Sequence, residues 1–191
     1  MHAIEPFYGW RDYYIASEDK KSPFYRQQYS EFTFHHKLYN YYLHPQWDNF
    51  GSTTLYCKVI FADYEKKTAI IELIGEWNDT LHNDIMILKE ELLDPMMDAG
   101  ISKFILIGES VFNFHGSNED YYEALNENIQ DAGGWILAIN FSDHVVNEMR
   151  KYRIHYYFDF NEHLENIEWR KIKPQYLHKA AEEWIAGKLN S

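Results

Sequence analysis

Between residues 69 and 160 short apolar runs alternate with segments of helical period, and this alternation constrains the fold more than any other feature of the chain. Residues 55–62 and 68–74 are apolar runs on either side of the charged turn Asp63-Tyr64-Glu65-Lys66-Lys67, a pattern that predicts a β-hairpin. After Gly75 the period changes. Ile85, Leu88, Leu92 and Met96 recur at helical spacing, with Asp79 placed as an N-cap whose carboxylate accepts from free amides, and Gly100 placed to end the helix. Pro95 lies inside that pattern, where its missing N–H and its ring predict a kink or an early stop. The unbroken run Phe104-Ile105-Leu106-Ile107 predicts a strand covered on both faces.

Ser117-Asn118-Glu119-Asp120 reads as a variant capping box before a helix that turns Tyr121, Leu125 and Ile129 inward and stops at Gly133-Gly134. Residues 135–139 are a further apolar strand, Ser142 caps a short helix carrying Val145, Val146 and Met149, and residues 154–160 read as a last strand. Pro174 suits the first turn of a C-terminal helix with Leu177, Ala180, Ala181, Trp184 and Ile185 on one side. The order ββαβαβαβ, with helices between buried strands, implies parallel crossovers and an α/β sheet.

The beginning of the chain is built differently. Residues 1–64 hold 18 of the 34 aromatic residues, without a periodic aliphatic face. The expectation is a single domain of three parts: an aromatic-rich N-terminal arm (1–52), an α/β core (53–160) and a C-terminal helical extension (161–191). Within the arm, residues 31–43 set Phe32, Phe34, His36 and Leu38 against polar neighbours, which suggests an extended strand. His35 and His36 then point to opposite faces, a poor geometry for joint ligation. Residues 44–51, with Pro45 and Gly51, read as a loop.

The chain carries 30 acidic and 18 basic residues, a net charge of −12. Eighteen of those acids and only seven of the bases fall in residues 65–160, so that segment alone holds −11. Such a surface repels phosphate backbones and anionic headgroups, which argues against nucleic acid and the membrane surface as partners. No run approaches the roughly 18 apolar residues that span a bilayer, so membrane insertion is not expected. Met1-His2-Ala3-Ile4-Glu5-Pro6 lacks the basic and apolar regions of a secretory signal, which makes the expected location cytoplasmic. Cys57, the one cysteine, sits in an apolar run and reads as a small buried hydrophobe rather than a nucleophile.

In open α/β sheets ligands gather beyond the carboxyl ends of the strands. That edge should collect Glu76, Asp79, His82 and Asp84 after one strand, Glu109, Asn113 and His115 after the next, and Asn140, Asp143 and His144 after a third. Carboxylates with histidines hold and release protons near neutral pH or ligate a divalent metal. No HExxH, paired CxxC, GxSxG, Walker or GxGxxG pattern accompanies them. The simpler reading is helix caps and solvated loop ends, with no metal and no cofactor; the alternative is a metal-assisted hydrolase using Glu76, Asp79, His82, Glu109 and His115. The aromatic arm offers another alternative, a small-ligand or lipid carrier with an apolar cavity between arm and sheet, and the arm is also a possible homodimer contact.

Over residues 68–160 the chain resembles the STAS domain, named for sulfate transporters and anti-sigma-factor antagonists. The resemblance rests on Gly75-Glu76-Trp77-Asn78-Asp79, similar to the family's strand-end Gly-Glu-Leu-Asp, on Phe104-Ile105-Leu106-Ile107, and on the glycine-led strand Gly133-Gly134-Trp135-Ile136-Leu137-Ala138-Ile139-Asn140. It implies a mixed sheet with helices and a regulatory or protein-binding role, with a protein partner, rather than catalysis. In that family a serine at the start of the helix after the central strand is often the phosphoacceptor. Here Gly116 stands at that place, His115 at the preceding aspartate and Ser117 at the second serine, so the switch is missing as such. Ser117 is then the remaining candidate acceptor, at a helix start that favours negative charge.

Overall fold

Within the alternating run over residues 31–43, residues 37–42 fold back on themselves instead of extending. Strands β1 (Lys37–Leu38) and β2 (Tyr41–Tyr42) pair antiparallel across a Tyr39-Asn40 turn, with Tyr39 at φ 53°. Leu38 alone among these four strand residues is buried, so no second apolar face sustains a longer strand. The computed structural model describes residues 4–30, 32–34, 36–160 and 166–189; Glu31 and His35, with the expected opposed faces of His35 and His36, lie outside it.

β3 (Leu55–Asp63) and β4 (Thr68–Asn78) form the expected antiparallel hairpin. Asp63 turns the chain, its Oδ1 accepting from the amides of Glu65 at 3.1 Å and Lys66 at 3.0 Å. The rest of the sheet follows in sequence order: β5 (Lys103–His115), β6 (Trp135–Ile139) and β7 (Asp159–Phe160), each parallel to its neighbour. Because every crossover steps the same way across the sheet and crossovers share one hand, all the connecting helices fall on one face. These are α1 (Asp84–Leu88), which runs through a π-helical segment (Lys89–Leu93) into α2 (Asp94–Asp98), then α3 (Asp120–Asp131) and α4 (Asp143–Lys151). The last helix, α5 (Pro174–Leu189), belongs to the other face.

Alternate strand residues face opposite ways, and the core divides accordingly. Leu73, Phe104, Leu106 and Ala138 pack against the helical layer, for example Leu88, Leu125 and Met149. Ile70, Ile105, Ile107, Leu137 and Ile139 meet Trp10 from the arm, Trp169, and Leu177 and Ala181 of α5. A bulge between Val59 and Phe61 turns both Ile60 and Phe61 to this second face. Each fully buried Ile or Leu of these strands contributes about 1.5–3 kcal/mol. The arm also closes the free edge of β3, where Asp48 bridges Cys57 through amide bonds of 2.8 and 3.0 Å. Cys57 is fully buried, and burial raises its thiol pKa well above the ordinary value.

Three local expectations are corrected. Pro95 does not end its helix: it sits in the first turn of α2, directly after the π segment, where a new α-turn starts and the absent N–H breaks no bond. The helix runs on to Gly100, at φ 105°, whose amide and that of Ile101 bond back to Met97 and Met96 at 2.9 and 3.0 Å. Residues 154–160 are not one strand. Arg153 at φ 63° starts a 3-10 turn over Ile154–Tyr156, leaving only Asp159 and Phe160 to pair with Leu137 and Ala138. Ser117 is not the cap of α3, whose N-cap is Glu119, whereas Ser142 is the N-cap of α4 as expected, with its hydroxyl on His144 Nδ1 at 3.1 Å rather than on a helix amide. No helix among the described residues is long and apolar enough to cross a membrane.

Candidate functional site

The carboxyl edge of the sheet begins where β4 runs out at Asn78. Asp79 turns inward there. Its Oδ1 accepts from the amide of Ile85 at 2.9 Å and from Trp77 Nε1 at 3.1 Å, and its Oδ2 from the Tyr122 hydroxyl at 2.6 Å. Burial pushes this carboxyl up to about 6, against the pull of those three donors. Asp79 thus satisfies a first-turn amide of α1 as expected, although the N-cap position belongs to Asn83, at φ 53°. Asp84, fully buried, accepts from Ser52 Oγ at 2.6 Å, Thr54 Oγ1 at 3.1 Å and the Asn78 amide at 2.7 Å. Both aspartates fix the β4–α1 corner and turn no oxygen outward to a substrate.

The other four residues of the expected hydrolase set do not join Asp79. Glu76 accepts from the Tyr39 hydroxyl and from Asn113 Nδ2 at 3.4 Å. His82 is exposed, 3.5 Å from Thr53 Oγ1. The His115 ring is exposed too, while its carbonyl accepts from the amides of Asp79 and Thr80 at 2.8 and 3.3 Å. Glu109 projects from the opposite face of the sheet to Asp79, toward Trp169 and Arg170. Among the described residues no three His, Cys, Asp or Glu side chains are grouped as a metal ion would need.

Gly116 and its surroundings are shaped by a ring. A Cβ at Gly116 would lie 2.4 Å from the ring of Tyr152, so only glycine fits beneath it. Phe114 meets the same ring edge-on at 6.0 Å, and Thr80 Oγ1 bonds the Gly116 carbonyl at 2.8 Å. Ser117 is exposed and lies two residues before the Glu119 N-cap. Next to Thr80, which bonds this loop, Leu81 stands 76% exposed.

A second polar centre on the arm side escaped the sequence reading. Arg170 reaches both Glu109 and Glu72, the latter at 3.3 Å. Glu72 also takes the Phe7 amide at 2.8 Å, and burial pushes its carboxyl up to about 7. For Glu109 burial acts in the same direction, but bonds from Asn140 Nδ2, Arg170 and Trp169 Nε1 outweigh it and hold the carboxyl below its usual value. Asn140, at φ 55°, spends the rest of its amide on the backbone of Ile167, one bond each way at 2.8 Å. The available signal was a glutamate, Glu72, inside the apolar run of residues 69–74.

No model of a known protein family matches the chain, and no curated protein matches it.

Proposed function

We propose that the chain is a non-catalytic, STAS-like protein-binding module that docks a basic partner protein at the carboxyl edge of its sheet. The observation that carries this reading is the exposed Leu81 beside the Gly116–Tyr152 contact. An apolar anchor at the centre of a polar surroundings is how protein interfaces concentrate their binding energy. Charge decides what kind of partner it is. Residues 65–160 carry −11, and α3 alone presents Asp120, Glu123, Glu127 and Asp131 without a basic residue. Two copies of such a surface repel each other, whereas a basic surface is attracted. The inward-tied Asp79 and Asp84 support binding over catalysis, because carboxylates saturated by structural donors have no free oxygen for a substrate proton. The family resemblance over residues 68–160 points the same way, with the phosphoacceptor place taken by Gly116 in contact with Tyr152.

The test is a comparison of wild type with Leu81→Asp, a substitution at an exposed site that leaves the fold intact. Wild type immobilised in native extract should retain one basic protein, and the purified pair should bind at least about tenfold more weakly with Leu81→Asp, the cost of burying an unpaired charge at an interface. Retention of no protein, or equal affinity of the purified partner for both forms, rejects the docking edge.

A further inference from the structure

A cavity of about 200 Å³ lies between the arm and edge strand β3, away from the edge just described. Its apolar wall comes from Phe7, Trp10, Tyr14 and Ile60. Its polar lining includes Arg11 and Lys58. Lys58 is 13% exposed and paired with Asp48 at 3.0 Å, its ammonium resting 3.9 Å from the centre of the Tyr29 ring. Tyr29 also donates its hydroxyl to Asp48, which stands behind the lysine and is not part of the cavity wall. Burial lowers the Lys58 pKa against the pull of Asp48, and the nearby Arg11 charge lowers it further. Arg11 is exposed at its own position and bonds Gln46 Oε1 at 3.1 Å; among the described residues it has no carboxylate partner. Lys58 and Arg11 thus line one cavity, and of the two only Lys58 is paired with a carboxylate, so positive charge adjoins the aromatic wall.

We propose that this cavity binds a small monocyclic carboxylate, with its ring among Phe7, Trp10, Tyr14 and Ile60 and its anionic group against Arg11 and Lys58. Size sets the class of ligand. An apolar cavity of roughly 150 Å³ accepts benzene, so about 200 Å³ takes one ring and a short acid arm. It is smaller than the roughly 300–1,000 Å³ of pockets that hold drug-sized molecules, and a long acyl chain does not fit. Charge sets the anionic group: an ammonium has three donors, of which Asp48 occupies one side, and a guanidinium presents five. Tyr29 and Asp48 hold Lys58 in place before the ligand arrives, which spares the ordering of that long side chain on binding.

The experiment titrates the 15N-labelled full chain with phenylacetate, benzyl alcohol and laurate while following amide shifts. Phenylacetate should give saturable shifts confined to the lining residues, and benzyl alcohol, of similar shape but uncharged, should bind roughly tenfold more weakly. Arg11→Gln, at an exposed position, should weaken phenylacetate to about the level of benzyl alcohol with an unchanged urea midpoint. Ser17→Trp, which pushes an indole into the cavity from its half-buried rim, should abolish the shifts. No saturable shift with phenylacetate up to about 10 mM overturns the site. Equal binding of phenylacetate and benzyl alcohol overturns the anionic class, and tighter binding of laurate than of phenylacetate overturns the size.

Discussion

Arg170 serves two carboxylates whose surroundings set them apart. Glu109 receives three donors and stays ionised, whereas Glu72 is 2% exposed and titrates at about 7 instead of 4.5. A folded-state value above the unfolded one means that the native protein holds the proton more tightly. Its contribution to stability is complete below about pH 4.5 and is lost as pH rises through 7. Asp79 acts in the same direction between its ordinary 3.8 and about 6. Glu72→Gln keeps an acceptor for the Phe7 amide but cannot titrate. Its stability relative to wild type should therefore rise between pH 5 and 7.5 by on the order of 1–3 kcal/mol, measured by urea unfolding at both values. A constant gap between the two proteins would sink the assignment. At this scale the sequence is informative where partners are local: Asp79 does accept from a first-turn amide of α1, six residues on, although Asn83 and not Asp79 holds the N-cap position. Glu72 and Arg170 were missed because 98 residues separate them and no local rule links a strand glutamate to a C-terminal arginine.

Elements with a strong period were legible in the same way, and elements fixed by tertiary partners were not. Leu88, Leu92 and Met96 marked their helix, but the π segment that absorbs Pro95 leaves no periodic trace. Residues 154–160 have strand-like composition, yet the left-handed Arg153 breaks the run before pairing begins. At Ile167 the backbone is held by one side chain, that of Asn140 directly after β6. Asn140 pairs with both backbone groups of Ile167 while also bonding Glu109, and it does so from a φ of 55° that favours asparagine or glycine. Asn140→Gly keeps that backbone conformation and removes the clamp. It should cost about 1–3 kcal/mol and raise amide hydrogen exchange at Ile167 and through Trp169–Lys171, while α3 keeps its protection. Unchanged exchange at Ile167 would show that other contacts hold the segment.

The whole molecule is a sheet with two unlike coats. One is an acidic helical layer; the other, the arm and α5, is close to neutral, since residues 1–64 sum to −1 and residues 161–191 to 0. The order of strands and helices was readable because each crossover obeys one hand, and the aromatic arm was readable as a covering layer because its rings lack a period of their own. Which face each coat takes was not, since that depends on the direction of the crossovers across the sheet. If the acidic coat steers a basic partner, association should be strongly salt-sensitive. Raising NaCl from about 50 to 300 mM shortens the screening length from roughly 14 to 6 Å and should slow the on-rate of the purified partner at least about tenfold, as read by stopped-flow mixing. An on-rate indifferent to salt would leave the apolar anchor without its long-range attraction.

Trp10 Nε1 bonds the carbonyl of Ile172 at 3.1 Å, and the Phe7 amide and Arg170 share the carboxylate of Glu72. Residues 7–10 and 169–172, far apart along the chain, thus seal the same side of the sheet together. On a translating ribosome the strands and their helical layer can assemble as soon as residue 160 has emerged, but the strip of Ile70, Ile105, Ile107, Leu137 and Ile139 stays wet until Trp169 and α5 follow. A nascent chain paused in that interval carries an uncovered apolar stripe across the sheet, open to non-native contacts until Trp169 and α5 dock.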